Sequence, residues 1–316
     1  MRFVPFAALL IGSCLALPAF AADAQAWLQR LGEAERKQSF QGAFVYERNG
    51  SFSTHSVWHR VEEDGSVRER LLQLDGVAQE VLRLDGRVQC ASGALADQLV
   101  DSQVWPARVL DAEQLGKWYE LRLLGQSRVA GRAAVVLALV PRDQHRYGIE
   151  LHLDQQTGLP LKSLLLNDKG ELLERFQFTL LDTHAPASDL LKPGAACRQV
   201  SLPEPSVAQD ATWRSDWLPP GFSLSSTSQR RSPASNEPVA CQVYADGLAR
   251  FSVFLEPLRG AVVEDVRTQV GPTVAVSRRL KTSDGDVMVT VVGEIPLGTA
   301  ERIALSMRAA DAQEAP

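Results

Sequence analysis

Three Asp-Gly dipeptides at near-regular spacing, Asp64-Gly65, Asp75-Gly76 and Asp85-Gly86, constrain this chain more than any other feature. Both residue types tolerate positive φ, so such pairs favour tight hairpin turns, and turns about ten residues apart make neighbouring strands pair in sequence order. The stretches around them, residues 43–48, 54–61, 67–74 and 79–84, alternate apolar and polar residues as half-buried strands do. The pattern breaks between 94 and 117, where a short helix and Trp105-Pro106 are expected. It resumes over 118–124, 134–140, 146–153, 161–167 and 172–180, with turns at Gly131-Arg132, Thr157-Gly158-Leu159-Pro160 and Lys169-Gly170. So many antiparallel strands with so few helices predict one strongly curved sheet or open barrel whose concave face needs a cover: a helix, a loop or a ligand. A helix from a capping Asp23 to about Gln38, with Trp27, Leu28, Leu31 and Ala34 on one face, is expected to lie on that sheet.

Ahead of this helix, Arg2 precedes an apolar run from Phe3 to Leu17, and Ala19-Phe20-Ala21-Ala22 follows, the layout of a cleaved secretory signal. Ile11-Gly12-Ser13-Cys14 would suit lipoprotein processing at Cys14, but the apolar run continues past it and an A-x-A site follows. Later stretches fall short of the roughly 18 apolar residues a membrane helix needs. The mature chain is therefore expected to be exported and soluble. Cys90, Cys197 and Cys241 then remain, an odd number that allows at most one intrachain disulfide and leaves one thiol over. The pairing is open, and the spacings fit neither C-x-x-C redox chemistry nor a zinc site.

At 316 residues the chain has room for two domains. The segment 183–210, with Pro186, Pro193, Pro203 and Pro205 and no hydrophobic period, reads as a linker. It divides a large domain over 23–182 from a smaller one over 211–308, with 1–22 as the signal and 309–316 as a frayed tail. The smaller domain is expected to carry strands over 223–229, 241–244, 249–255, 273–281 and 287–292, turns at Asp246-Gly247 and Asp284-Gly285, and a final helix over 300–308 capped by Thr299.

Recognisable catalytic patterns are missing: there is no G-x-S-x-G, H-E-x-x-H, phosphate loop or dinucleotide fingerprint. No catalytic residue, metal or cofactor is expected. His55 and His59 read as surface or rim histidines rather than a metal pair, because two pleats separate them on one strand face. Asp143-Gln144-His145-Arg146 reads as a satisfied polar turn. The balance of 33 basic against 38 acidic residues, a net charge of -5, argues against any broad affinity for nucleic acid. Aromatic residues say more. Phe44 and Tyr46 share a strand face, and Trp58, Trp118, Phe176 and Phe178 also fall in strands; they line either a core or an apolar cavity able to take acyl chains or an apolar peptide. In the smaller domain, Trp217-Leu218-Pro219-Pro220-Gly221-Phe222 fixes a turn between aromatic residues, and Arg230-Arg231 follow. Arg278-Arg279-Lys281 make a second basic spot. Arginine with aromatics is hot-spot chemistry, so Trp217, Leu218, Pro219, Phe222, Arg230, Arg231, Arg278 and Arg279 are the candidate partner-binding residues.

Several motifs together resemble one family. They include Ser39-Phe40-Gln41-Gly42 with Phe44-Val45-Tyr46-Glu47-Arg48, Leu71-Leu72-Gln73-Leu74-Asp75-Gly76, Pro141-Arg142-Asp143 with Arg146-Tyr147, and Thr157-Gly158-Leu159-Pro160. The Trp217–Phe222 turn, Tyr244-Ala245-Asp246-Gly247-Leu248 and Val292-Gly293-Glu294-Ile295-Pro296 complete the set. By these the chain is similar to the MucB/RseB family, periplasmic regulators of extracytoplasmic-function sigma factors. The resemblance implies an α+β protein without a catalytic site: a half-barrel like that of lipoprotein carriers, covered by helices, and a smaller α+β C-terminal domain. It also implies partners. The smaller domain, helped by the surface between domains, binds the periplasmic part of a membrane-spanning anti-sigma factor and shields it from proteolysis. A lipid, lipopolysaccharide or lipoprotein signal then releases it, freeing the sigma factor for envelope-stress genes and, in one branch of the family, alginate production. A homodimer is a further expectation. The rival reading is a periplasmic lipid or lipoprotein carrier, which would not need a second interaction domain.

Overall fold

The computed structural model describes residues 17–92, 110–200, 213–235, 237–260, 263–283 and 285–309. Most of the expected signal, Trp105-Pro106, the end of the expected linker, Asp284 and the tail from 310 lie outside the described residues.

The turn spacing is realised as one large antiparallel sheet. Its strands are β1 (Phe40–Arg48), β2 (Ser51–Val61), β3 (Val67–Gln73), β4 (Glu80–Leu84), β5 (Arg87–Ala91), β6 (Tyr119–Val129), β7 (Arg132–Pro141), β8 (Gly148–Asp154), β9 (Pro160–Leu166), β10 (Leu172–Asp182) and β11 (Arg198–Gln199). They lie in the order β11-β5-β4-β3-β2-β1-β10-β9-β8-β7-β6. Hairpin neighbours pair throughout, and the long-range β1–β10 pairing joins the two meanders. With β6 and β11 as its edges, the sheet is open. At the β4–β5 turn both Asp85 (φ 50°) and Gly86 (φ 75°) occupy the left-handed region, as a two-residue hairpin of this hand requires. Asn49 (φ 51°) and Gly50 (φ 71°) make an equivalent turn between β1 and β2.

Helices α1 (Leu17–Lys37) and α2 (Ala112–Trp118) cover one face. Ala24, Leu28 and Leu31 of α1 pack with Leu115 of α2 onto Tyr119, Leu137, Leu139, Leu151 and Leu153. Each fully buried leucine contributes about 1.5–3 kcal/mol. Further along, Ala34 meets Phe40, Phe44, Phe176 and Phe178. The helix begins at Leu17, so Asp23 is not its cap; its apolar spacing was visible, its start was not. In α2, Asp111 does cap, accepting from the backbone N–H groups of Glu113 and Gln114.

The stretch expected to be free linker from 183 is bound along the opposite face as far as Gln199. Arg60 donates to Pro186 O (2.9 Å) and Arg70 to Leu190 O (3.0 Å), and Gly194 N–H donates to the Glu80 carboxylate (3.1 Å). A disulfide joins Cys90 to Cys197, and β11 pairs with β5. Side chains on β2, β3 and β4 supply the partners, which the composition of the stretch could not reveal. Among the described residues, Cys241 is the cysteine outside this bridge, and it is buried.

The smaller domain has β12 (Trp213–Ser215), β13 (Ser223–Arg231), β14 (Pro238–Ala245), β15 (Arg250–Pro257), β16 (Val266–Val270), β17 (Thr273–Thr282), β18 (Gly285–Gly293), α3 (Leu297–Ser306) and β19 (Met307–Ala309). Six of its strands form a sheet in the order β13-β14-β15-β18-β17-β16, and β12 pairs with β19. Val253, Leu255, Val274, Val276, Val289 and Val291 alternate inward under Ala300, Ile303 and Met307 of α3 and its exit. Thr299 does not cap α3. The helix starts two residues earlier, after Pro296, and Thr299 is buried where the two domains meet.

Candidate partner-binding site at the domain junction

The turn between β7 and β8 carries Asp143-Gln144-His145-Arg146, and the structure places this segment against the smaller domain. The Arg146 side chain is wholly buried. Its guanidinium donates to both Asp143 carboxylate oxygens (3.1 and 2.9 Å), to Asp246 Oδ2 (2.5 Å) and to Pro220 O (2.5 Å). Asp246, in the β14–β15 turn, also accepts from Tyr119 Oη (3.0 Å) and from the backbone N–H groups of Leu248 (2.8 Å) and Ala249 (2.7 Å). Rings of Phe222, Tyr119 and Trp118 surround the guanidinium at 5.1, 5.4 and 5.9 Å. Two domains thus share one buried ion pair with its hydrogen bonds filled, the condition under which a buried charge is tolerated.

Neighbouring contacts extend this lock. Gly221 (φ +86°) lies so close under Trp118 that a Cβ there would fall 2.3 Å from the indole Nε1. His145 Nδ1 is 3.1 Å from Thr299 Oγ1 and meets the edge of Trp217 at 5.1 Å, while Arg302 lies 3.8 Å over the Trp217 ring. Tyr147 Oη donates to Ile295 O (3.2 Å). Burial, aided by Asp246, pushes the Tyr119 hydroxyl well above its ordinary value. Burial alone would lower Arg146, but Asp143, Tyr119 and Asp246 carry it above its usual range. The tyrosine keeps its proton and the arginine its charge, so the cluster holds surfaces together and exchanges no protons.

A second contact joins the domains at the β1–β2 turn. Arg48 donates to Glu294 Oε1 (2.9 Å) and to Thr273 Oγ1 from the smaller domain, and lies 3.5 Å from Glu174 Oε2 of its own. Tyr46 Oη donates to the same Glu174 oxygen (2.6 Å).

The structure disperses the residues expected to bind a partner. Pro219 and Phe222 are buried, and Trp217 and Leu218 are half-buried against the smaller domain's core. Arg230 and Arg231 close β13, whose nine residues put them roughly 25 Å from the Pro-Pro-Gly turn at the strand rise of ~3.3 Å per residue. Turn and arginines therefore do not form one constellation. Arg278 is paired with Asp265 (2.7 Å) and Arg279 donates to Asp286 (2.7 Å), so this basic spot is already largely neutralised.

The expected acyl-lining aromatics divide as well. Phe44, Phe176 and Phe178 pack on one another, with Phe44–Phe176 centroids 4.6 Å apart and Phe176–Phe178 5.2 Å apart. Trp58 points to the other side of the sheet from Val57, under Arg70 at 5.2 Å. Tyr46 and Trp118 belong to the domain junction. His55 and His59 are core partners instead of rim residues, stacked on Phe44 (5.0 Å) and Phe40 (4.7 Å). No group of metal-ligating side chains occurs among the described residues.

Arg48, Arg146, Asp246 and Glu294 stand in motifs that carry the family resemblance, but nothing in those motifs shows that these side chains meet. Tyr119 and Thr299 have no such signal, and the i,i+3 Asp143–Arg146 pair is the only local hint of the cluster.

Comparison with known proteins agrees with this architecture. The MucB/RseB N-terminal domain model matches residues 23–203 and the MucB/RseB C-terminal domain model matches 207–308. The chain is 67% identical over 302 residues to the sigma factor AlgU regulatory protein MucB of Pseudomonas aeruginosa, covering 95% of this chain and 96% of that protein. To the sigma-E factor regulatory protein RseB of Escherichia coli K12 it is 28% identical over 298 residues, 91% of each. Among solved structures, MucB in the P. aeruginosa MucA/MucB complex matches with a TM-score of 0.82 and 67% identity, over 92% of this chain and all of that one. A crystal structure of MucB matches at 0.71 with 64% identity, over 92% and 98%. The chain belongs to the MucB/RseB family.

Proposed function

We propose that this protein acts in the periplasm as a negative regulator of an envelope-stress sigma factor of the AlgU type. It binds the periplasmic part of a membrane-spanning anti-sigma factor and protects it from regulated proteolysis until a lipid or lipoprotein signal binds. The observation that carries the reading is the 67% identity, over nearly the full length of both chains, to a regulator of AlgU, a chain also solved with MucA. Physically, two domains joined through a junction of ion pairs and aromatic contacts suit such a task, since a ligand that prefers one domain arrangement shifts the population away from the other. The end of β13, with Arg231 exposed and Arg230 half-buried, is the part of the sequence-expected partner surface that this reading retains. An acyl chain would enter the large domain by displacing α1 from Phe44, Phe176 and Phe178.

The test is a titration of purified protein with the periplasmic segment of the anti-sigma factor, with and without a lipid A or lipoprotein-derived ligand. Tight binding that the ligand weakens is expected, and linkage then requires the partner to weaken ligand binding equally. Ligand binding without partner binding would return the carrier reading. Alanine at Arg230 and Arg231 should weaken the complex; unchanged affinity would remove these residues from the surface.

A further inference from the structure

We propose that the Arg48 bridge is an acid-strengthened latch between the two domains, firm when Glu174 carries a proton and weakened when Glu174 is ionised. The geometry is one guanidinium between two carboxylates on different domains, Glu294 at 2.9 Å and Glu174 at 3.5 Å. The other groups facing Glu174 do not even the balance. On β1, Tyr46 donates a neutral hydroxyl (2.6 Å), and Glu47 is matched by Arg175 of β10 at 3.4 Å. From the smaller domain, Thr273 and Gln269 are neutral. Tyr147 of the large domain holds its proton, its hydroxyl pushed up to about 12 by burial first and then by Glu294 and Asp168. With both carboxylates ionised, a single cation serves two anions.

The β16–β17 turn closes over this cluster. A Cβ on Gly271 would stand 3.4 Å from Asn49 Cβ and 3.5 Å from Arg48 Cγ. Beside it lies a cleft of about 250 Å³ lined by Glu47, Asn49, Gly50, Leu172, Leu173 and Gly271. Burial, and after it the charge of Glu294, raises Glu174 to about 7 against the opposing pull of Tyr46 and Arg48. Separating the domains removes Glu294 and admits water, which returns Glu174 toward the ordinary carboxylate range near 4.3. The latched arrangement therefore binds the proton more tightly than the open one. Latching strengthens as pH falls from about 7 toward the ordinary carboxylate range and is flat outside that window. One proton sets the limit, at most a tenfold change in the latched-to-open ratio per pH unit.

Two measurements on the full mature chain test this. Carbon-13 NMR of labelled glutamate carboxyls should find one group titrating near 7, moved downward in Glu294→Gln. Energy transfer between dyes on cysteines introduced at Gln126 and Ser225, one on each domain, should report a ratio that changes between pH 8 and 5 in the parent chain. In Glu174→Gln, which mimics the protonated state, the ratio should stay latched and pH-independent. A ratio flat with pH in the parent chain, or one equally pH-dependent in Glu174→Gln, would overturn the latch. If Glu174→Gln does not fold, Glu294→Gln supplies a different arm: it removes both the interdomain anion and the charge that raises Glu174. The ratio should then be less latched and pH-independent, and a pH dependence equal to that of the parent chain would overturn the latch. Neither readout involves the anti-sigma factor, so failure here is separate from failure of the regulatory reading.

Discussion

Replacing Arg146 by Met tests whether the junction is held by its buried ion pair. The side chain is wholly enclosed, and the change strips Asp246 of its charged partner at 2.5 Å and leaves Pro220 O without that donor. Breaking a buried pair from one side costs about 3–5 kcal/mol. Asp246 still keeps Tyr119 and the N–H groups of Leu248 and Ala249 as donors, so the low end, about 3 kcal/mol, is expected. With a urea dependence of ~2 kcal/mol per molar, the midpoint of the less stable domain should fall by about 1.5 M. Because the lost energy couples two domains, circular dichroism and tryptophan fluorescence should also cease to report coincident transitions. The double variant Arg146→Met, Asp246→Leu removes both charges and should recover about 1–3 kcal/mol of the loss, the coupling expected of groups in contact. A cost under 1 kcal/mol for Arg146→Met, or a double variant costing the sum of its parts, would refute the argument.

Gly221→Ala combines a φ of +86° with a Cβ driven into the Trp118 ring and should lower stability by more than about 1 kcal/mol, read from thermal melts. Gly32→Ala, inside α1 with open space around the new methyl, should instead raise stability by about 0.5–1 kcal/mol. Removing the Cys90–Cys197 bridge, which spans 107 residues of sequence, should cost up to about 4.7 kcal/mol on loop-entropy grounds, seen as a lower melting temperature in Cys90→Ser, Cys197→Ser. Asp154 is buried and takes Arg132 (2.7 Å) and the Thr157 N–H (2.8 Å). Burial would raise its carboxyl, but these partners hold it below its ordinary value. Its stabilisation is therefore present above the ordinary carboxylate range and lost as pH falls through the lowered value, so Asp154→Ala should flatten acid denaturation followed by circular dichroism.

How much of this was legible depends on the range of the interaction. Asp-Gly turns are local, and the β4–β5 turn at Asp85-Gly86 was fixed by two residues. The apolar face of α1 was equally local, with Leu28 and Leu31 one turn apart. Strand β16 was not legible, because all five of its residues are exposed and show no buried alternation. The junction was legible only in fragments. Asp143 and Arg146 are three residues apart and read as a satisfied turn, yet the partner that buries Arg146 is Asp246, 100 residues away. A hydrophobic period records which face is buried; a polar residue buried by another domain leaves no such period. The same limit applies to Trp118, whose strand-like setting suggested a cavity wall and whose ring instead covers Gly221.

The two interdomain contacts differ in how completely their charges are met, and that difference decides which one yields first. At Asp246 one carboxylate has Arg146, a tyrosine and two backbone donors, so separation there exposes a fully satisfied pair and costs several kcal/mol. At Arg48 one guanidinium is divided between Glu174 and Glu294, whose side chains are 23% and 46% exposed, and partly solvated pairs of this kind are worth about 0–1 kcal/mol. Separating the domains therefore meets its smaller barrier at Arg48, so the junction is expected to open there first with Arg146 still in place, as hinge motions turn about a few fixed residues. Arg48→Met should accordingly change the energy transfer between the domains while moving the urea midpoint by less than about 0.5 M, whereas Arg146→Met moves both. If Arg48→Met shifted the midpoint as far as Arg146→Met, the contacts would be equivalent and the junction would open as a whole.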